Sequence, residues 1–198
     1  MKINKEQRET LRQFKQHLLR WNLTHSLVSK SQTNNLNEHI FDSLSIQPYL
    51  GKNLIDVGSG GGFPGIPIAI ISEDKKIFLI ESNNKKASFL LHTTNKLSLK
   101  NIKVLNTRVE DLGPKDFPQP YELLTRAFGT TQKTIKATKD LITEPHAKLR
   151  MMRTAPFNDY VAQPSQLKVT QIINTKSKGK DKQRILVTIE KKKKQCTQ

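Results

Sequence analysis

The stretch NLIDVGSGGGFPGIPIAI, residues 53–70, runs from a short apolar segment directly into a glycine-rich loop. It holds five of the nine glycines in the chain. Glycine loses more conformational entropy on folding than any other residue, so this concentration in one loop indicates that a ligand lies against the backbone. The segment Asn53–Val57 has the length and composition of a buried strand, and the sequence from about Pro64 predicts a short helix. The stretch is therefore predicted to be a strand, a ligand-binding loop and a helix in succession.

Two phosphate-binding interpretations of the loop fail. A P-loop needs Gly-x4-Gly-Lys-Ser/Thr, whereas the sequence GKN at 51–53 lacks the hydroxyl and comes before the strand. A dinucleotide-binding loop needs G-x-G-x-x-G. Gly58 and Gly60 fit that pattern, but the third position is Phe63, and its bulk opposes the close helix–strand packing that a glycine permits.

The pattern that fits is acidic-x-Gly-x-Gly-x-Gly, which the chain shows from Asp56 to Gly62. This pattern resembles the first motif of AdoMet-dependent methyltransferases of the Rossmann-like class. AdoMet carries no phosphate, and its methionine part can lie against bare glycine backbone where a side chain would collide. Asp56 is expected near the amino group of AdoMet or as an orienting group for the loop. The candidate cofactor-binding residues of the loop are Asp56, Gly58, Ser59, Gly60, Gly62 and Phe63.

A second acid follows one strand later. Glu81 ends the apolar segment IFLIE, 23 residues after Gly58. A carboxylate at this place can accept hydrogen bonds from both ribose hydroxyls of a bound nucleoside. Because NAD has the same ribose, Glu81 supports a nucleoside cofactor without deciding which one.

Strands alternate with helices after residue 51, which predicts a doubly wound, mostly parallel α/β sheet with helices on both faces. The predicted strands are Asn53–Val57, Lys76–Ile80, Ile102–Leu105, Tyr121–Thr125 and Ala147–Met152, and the predicted helices besides the one near Pro64 are Lys85–Leu97 and Thr131–Ile142. Leu167–Asn174 and Arg184–Glu190 predict an antiparallel C-terminal hairpin. Helices are also expected over 5–20 and 34–47. We divide the chain into an N-terminal helical extension packed on the catalytic domain (1–50), an AdoMet-binding domain (51–190) and a basic tail (191–198), which is expected to be disordered.

Several longer motifs accompany the glycine loop in a fixed order. They are LLRWNLTHSL at 18–27, NEHIFDSLSI at 37–46, ESNNKKASFL at 81–90, NTRVEDL at 106–112 and LLTRAFGT at 123–130. Together with DVGSGGGFPGIPIAI at 56–70, this series resembles the bacterial 16S ribosomal RNA guanine-N7 methyltransferases, the glucose-inhibited division protein B family, over roughly residues 10–150. The resemblance implies a class I methyltransferase fold and methyl transfer from AdoMet to N7 of a guanine.

The resemblance also implies roles for single residues. Gly58 and Phe63 match the glycine and the apolar residue of the loop that contact AdoMet, and Val109 and Glu110 match a pair at the adenine. Arg126 matches an arginine near the cofactor and the guanine. We expect Arg126 to orient substrate or cofactor in catalysis, not to act as an acid or base.

Two further segments bear on the comparison with the family. His39, Asp42 and Ser43 match a stretch that packs over the cofactor pocket. Glu81 stands where the family usually has Asp. The segment KLRMMRT at 148–154 replaces a glycine-rich fifth strand, and the tail is more basic than is typical.

The formal net charge of +17 and the pI of about 10 favour a polyanionic partner. Lys133, Lys136 and Lys139 recur every third residue, and Lys178 and Lys180 lie at the predicted hairpin tip, so we expect these five to contact RNA phosphates. The most apolar window, 63–71, is too short to span a membrane and contains two prolines. The single cysteine and the spacing of the histidines predict no metal site.

The sequence thus predicts a cytoplasmic, monomeric methyltransferase that acts on ribosomal RNA, either free or within the 30S particle. No membrane partner is expected. The alternative is a non-catalytic RNA-binding or ribosome-assembly factor that keeps a methyltransferase fold. An NAD oxidoreductase is opposed by Phe63.

Overall fold

Seven strands form one mixed sheet with helices on both faces in the part of the chain that the computed structural model describes, residues 3–157, 166–176 and 183–192. The strands are β1 Asn53–Val57, β2 Lys76–Ile80, β3 Ile102–Leu105, β4 Glu122–Arg126, β5 Lys148–Thr154, β6 Leu167–Thr175 and β7 Arg184–Lys191. The helices are α1 Lys5–His25, α2 Lys30–Asn34, α3 Leu36–Ser45, α4 Gly65–Ile71, α5 Asn84–Lys96, α6 Thr131–Ala137 and α7 Lys139–Ile142. This arrangement confirms the predicted α/β fold.

The order of the strands places a ligand-binding position at the carboxyl end of β1. The sheet runs β3-β2-β1-β4-β5-β7-β6, with β1 to β5 parallel and β7 antiparallel to both β5 and β6. The chain passes from β1 to β2 and β3 on one side and then returns to β4 on the other. Ligands of such sheets bind outside the carboxyl ends of the strands at this switch point. The glycine loop follows β1 at that place.

Both faces of the central strands are covered, and alternate residues of these strands enter two separate cores. Leu54 and Leu124 join the core formed with α1, α3, α4 and α5. Ile55 and Leu123 face the other way and join the core formed with α6 and α7. Burial on both faces explains why these strands read as continuous apolar segments in the sequence.

The N-terminal helices share the first core. Leu11, Phe14 and Leu18 of α1 are buried against residues of α4 and α5. Helix α1 begins at a capping box in which the Asn4 side chain accepts from the Gln7 N–H at 2.8 Å. The division of the chain into 1–50, 51–190 and 191–198 stays a prediction, and beyond Lys192 the tail lies outside the described residues. No described helix is long and apolar enough to cross a membrane.

One helix was not predicted, and one predicted helix is broken into two. The helix expected over 34–47 is α3 Leu36–Ser45, and the unpredicted α2 Lys30–Asn34 ends before it at Asn35, whose side chain donates to the Ser31 carbonyl at 3.1 Å. The helix expected over Thr131–Ile142 is interrupted at Thr138, whose hydroxyl donates to the Thr134 carbonyl at 2.8 Å. Asn and Thr side chains compete with helical hydrogen bonds in this way. The remaining differences are small shifts in element ends, the largest being the extension of α1 to His25.

Candidate active site

The glycine loop leaves β1 through backbone conformations that favour glycine. Gly58 has φ +72° and Gly62 has φ +88°. A Cβ on Gly58 would lie 2.5 Å from Cδ2 of Phe128, which is closer than carbon atoms approach. Among the described residues, a Cβ on Gly60 would come within 4 Å only of the Gly58 carbonyl oxygen, at 3.8 Å. The loop therefore has one packed side and one side open to a ligand.

Glu81, directly after β2, holds the loop in place. Its Oε2 accepts a hydrogen bond from the Gly60 N–H at 2.9 Å, and its Oε1 accepts one from the Asn83 N–H at 2.8 Å. A carboxylate oxygen can accept a second hydrogen bond, so Glu81 keeps capacity for the ribose hydroxyls of a nucleoside. The residue is 8% exposed, which places this carboxylate at the base of the site.

Asp56 is buried in β1 and holds the start of α4. Its Oδ2 accepts from the Gly65 N–H at 2.9 Å, while Oδ1 has no hydrogen-bond partner among the described residues. Burial raises the pKa of Asp56 to about 7, against the opposing effect of the Gly65 hydrogen bond. Of the two roles predicted for Asp56, this geometry favours that of orienting the loop.

A cleft of about 320 Å³ opens beside the loop at the carboxyl ends of β1 and β2. It brings together Gly58, Glu81, Val109 and Glu110, all predicted from the sequence, and the predicted RNA contact Lys133. Val109 is buried and Glu110 is exposed in the short 3-10 turn after β3. An apolar wall next to carboxylates suits an adenosine, which has a flat apolar ring and two ribose hydroxyls.

Three other predicted cofactor residues lie within the loop. The buried Ser59 hydroxyl donates to the Asp56 carbonyl at 2.9 Å. A Cβ on Gly62 would lie 2.5 Å from Cδ1 of Ile66, so Gly62 lets α4 pack closely. Phe63 packs toward the N-terminal helices, with ring centroids 5.3 Å from Phe14. These contacts shape the loop, and direct contact of the three residues with a cofactor stays a prediction.

Arg126 ends β4 and meets α3 from the N-terminal extension. Its Nη2 donates to Nδ1 of His39, and its Cζ lies 5.5 Å from the centroid of the Phe63 ring, a cation–π geometry. Because a guanidinium has no acceptor, His39 accepts on Nδ1 and carries its proton on Nε2. Burial lowers the pKa of His39 to about 4, and the nearby charges of Arg126 and Arg184 act in the same direction. His39 is therefore neutral at pH 7 and fixes the direction of Arg126.

A smaller cavity of about 230 Å³ lies on the Arg126 side and also contains Asp42 and Arg184. Nε of Arg184 is 3.1 Å from Oδ2 of Asp42, and Asp42 is 2% exposed. Burial raises the pKa of Asp42, and the charges of Arg184 and Arg126 oppose that rise. Ala127 lines both this cavity and the cleft and has φ +56°, a strained conformation for a residue with a Cβ. The turn at Ala127 thus joins the two parts of the site.

The predicted RNA contacts lie partly beside this site. Lys133, Lys136 and Lys139 are all exposed on α6 and α7, and Lys133 lines the cleft. Lys178 and Lys180 lie outside the described residues. The described part of the chain contains no group of His, Cys, Asp and Glu side chains that could hold a metal ion.

Comparison with known proteins identifies the family. The model of GidB, rRNA small subunit methyltransferase G, matches residues 7–187. The chain belongs to this family. It is 33% identical over 191 residues to ribosomal RNA small subunit methyltransferase G of Chromobacterium violaceum, covering 94% of this chain and 90% of the relative. It is 36% identical to the protein of that name from Hydrogenovibrio crunogenus, covering 88% of this chain and 81% of the relative.

The fold of the family is also found in more distant structures. A SAM-dependent methyltransferase from Aquifex aeolicus superposes with a TM-score of 0.57 at 16% identity, covering 82% of this chain and 98% of that chain. At this identity the likeness supports the fold alone. Together with the family match, it confirms the predicted resemblance and the predicted class I methyltransferase architecture.

The residues that line the cleft of this GidB-family chain are suited to binding AdoMet. Gly60 leaves open space beside the loop, Glu81 has spare acceptor capacity, and Val109 gives a buried apolar wall. Sequence reasoning missed Phe128, which packs under Gly58 and lines the cleft, and Arg184, which pairs with Asp42. Phe128 could have been found, since it belongs to the RAF motif. No local pattern links Arg184 to Asp42, which lies 142 residues earlier.

Proposed function

We propose that this chain transfers the methyl group of AdoMet to N7 of a guanine in 16S ribosomal RNA. The observation that supports it is the junction at Ala127, where the cleft with Glu81 meets the cluster of Arg126 and His39, in a chain of the GidB family. Membership of this family confirms the predicted enzyme class and AdoMet as cofactor, and it does not favour the alternative of a non-catalytic assembly factor. We propose further that the enzyme is a monomer and that free RNA or the 30S particle is the substrate.

The reaction requires positioning more than acid–base chemistry. Guanine N7 has a free lone pair at neutral pH, so no residue has to remove a proton before transfer. Bound AdoMet supplies a methyl group that its sulfonium already activates. Holding N7 in line with that methyl group converts a bimolecular step into an effectively unimolecular one.

The residues divide this work between them. Glu81 and the glycine loop would hold the nucleoside end of the cofactor at the cleft. Arg126 is directed by the neutral His39 and can donate to O6 of the guanine, the atom that arginine recognises beside N7. Because the pKa of His39 lies at about 4, His39 serves as an acceptor for Arg126 and supplies no proton at pH 7.

The test is methylation of 16S ribosomal RNA by the purified protein with labelled AdoMet. Free RNA and 30S particles are supplied in parallel, and the modified nucleotide is located by mass mapping. One 7-methylguanosine per RNA is expected. Absence of incorporation in both substrates, or a methyl group on another atom, would contradict the proposal. Ribosomal RNA from cells with and without the gene gives the same comparison in vivo.

A further inference from the structure

A second lysine-rich surface lies where the parallel strands begin, at the opposite end of these strands from the glycine loop. It is an open groove of about 740 Å³ at the amino ends of β1, β4 and β5, where β7 ends and β6 begins. Its lining contains Lys52, Lys148, Lys168 and Lys191. We call this surface the amino-edge groove. The methyltransferase mechanism makes no use of it.

The acids of the groove are already paired. Glu122 is buried and lies 3.2 Å from Nε of Arg150. Glu190 lies 3.5 Å from the ammonium of Lys148. Within the described residues, Lys52 and Lys168 are exposed and have no acid within ion-pair distance. The four groove lysines therefore outnumber its two acids, which already form ion pairs with Lys148 and Arg150, and the groove has an excess of positive charge.

The C-terminal end of β7 continues this charge. Nζ of Lys191 donates to the Thr143 carbonyl at 2.8 Å, which holds the ammonium at the rim of the groove. Lys192 follows and is exposed. Such an excess of lysine costs free energy through self-repulsion unless a polyanion binds there.

We propose that the amino-edge groove binds backbone phosphates of the RNA substrate at a place separate from the target guanine. The inference rests on the proposed function, because RNA is the polyanion that the enzyme meets there. A five-residue strand spans about 17 Å, so phosphates at this edge belong to nucleotides other than the one at the cleft. The groove adds affinity for a large structured RNA and leaves methyl transfer itself unchanged.

The experiment compares the variant Lys52→Gln/Lys168→Gln with Lys100→Gln/Lys103→Gln, which removes two exposed lysines from the β3 edge of the sheet. Binding of full-length 16S RNA is measured at five salt concentrations. If both groove lysines contact phosphate, the slope of log affinity against log salt becomes shallower by about 1.4 for single-stranded contacts. The affinity for AdoMet and the single-turnover rate at saturating RNA should match those of the wild type.

The outcomes separate this inference from the proposed function. Equal salt slopes for the two double variants and the wild type would overturn the groove proposal, even in an enzyme that methylates 16S RNA. A different outcome would favour an acidic protein partner and overturn the groove proposal: the wild type binds poly-glutamate more tightly than RNA, and the groove variant no longer binds poly-glutamate. A wild type that binds RNA through the groove and methylates nothing would contradict the proposed function alone.

Discussion

Nη2 of Arg126 donates to Nδ1 of His39, and this contact joins the end of β4 to a helix that precedes the whole sheet in the chain. The acceptor must be neutral, and burial keeps it so by lowering the pKa of His39 to about 4. The guanidinium of Arg126 is thereby directed by a group that adds no charge, which suits the role toward a guanine that we propose for it.

Stability should fall in mild acid because of His39. The unfolded chain has a histidine pKa near 6.5, so between about pH 6.5 and 4 the unfolded state takes up a proton that the folded state does not. The stabilising contribution is complete above about pH 6.5 and is lost as the pH falls toward 4. We expect wild type to lose about 1 kcal/mol more than His39→Gln between pH 7 and 5, after allowance for solvent screening. Thermal unfolding across this range measures the difference, and parallel pH profiles would contradict it.

Glu81→Gln should weaken AdoMet binding. The amide keeps the shape of the side chain but has one acceptor oxygen where the carboxylate has two. Its NH2 group cannot accept a hydrogen bond from the backbone N–H groups or the ribose hydroxyls that the second carboxylate oxygen would serve. Hydrogen bonds to a charged group contribute about 1.5–3 kcal/mol, so the dissociation constant should rise about tenfold or more. Calorimetry with AdoMet measures this change.

The matched control for Glu81 is Asp111→Asn, which removes an exposed carboxylate from the turn beside the cleft. Its affinity for AdoMet should equal that of the wild type. If both variants bind AdoMet equally well, Glu81 makes no contact with the ribose.

Gly58→Ala should destabilise the protein and its cofactor site together. The new Cβ would collide with Phe128, and φ +72° is unfavourable for alanine. We expect a loss of about 2 kcal/mol in the free energy of unfolding in urea, combining the left-handed conformation with overpacking. Gly113→Ala is the control, because the nearest atom to its Cβ is 4.0 Å away and its φ is −122°. If Gly58→Ala is as stable as Gly113→Ala, the loop and the Phe128 ring can shift to accommodate the new Cβ, and the expected collision does not occur.

Arg150→Ala should cost about 3–5 kcal/mol of stability without affecting the active site directly. It would leave Glu122 buried without the guanidinium, whose Nε and Nη2 lie 3.2 Å from the Glu122 oxygens. The double variant Glu122→Gln/Arg150→Met should recover most of the loss. Denaturation in urea compares the variants, and methylation per folded molecule should be unchanged. Equal stability of the single and double variants would rule out an uncompensated Glu122 charge as the cause.

Much of the fold could be read from local pattern, and the limits have physical causes. Apolar runs predicted β1, β4 and β5 because both faces of these strands are buried, and the glycine pattern located the loop because positive φ angles need glycine there. The short helix α2 and the break at Thr138 were missed, because the side chains of Asn35 and Thr138 form hydrogen bonds with carbonyl groups of the preceding helical turn, and a propensity pattern does not record this local competition. The direction of Asp56 toward Gly65, and the contact of Arg126 with His39, depend on how α3 and α4 pack, which no local pattern records.

The ion pair of Asp42 and Arg184 joins two residues that the ribosome synthesises at widely separated times. Asp42 leaves the ribosome 142 residues before Arg184, so for all of that stretch of synthesis the growing chain carries this acid without the cation that accompanies it in the folded protein. The cavity beside Arg126 is completed only when β7 has been translated and inserted between β5 and β6. A chain that has not yet reached β7 therefore lacks Arg184 and Ile185, two of the residues that line this cavity.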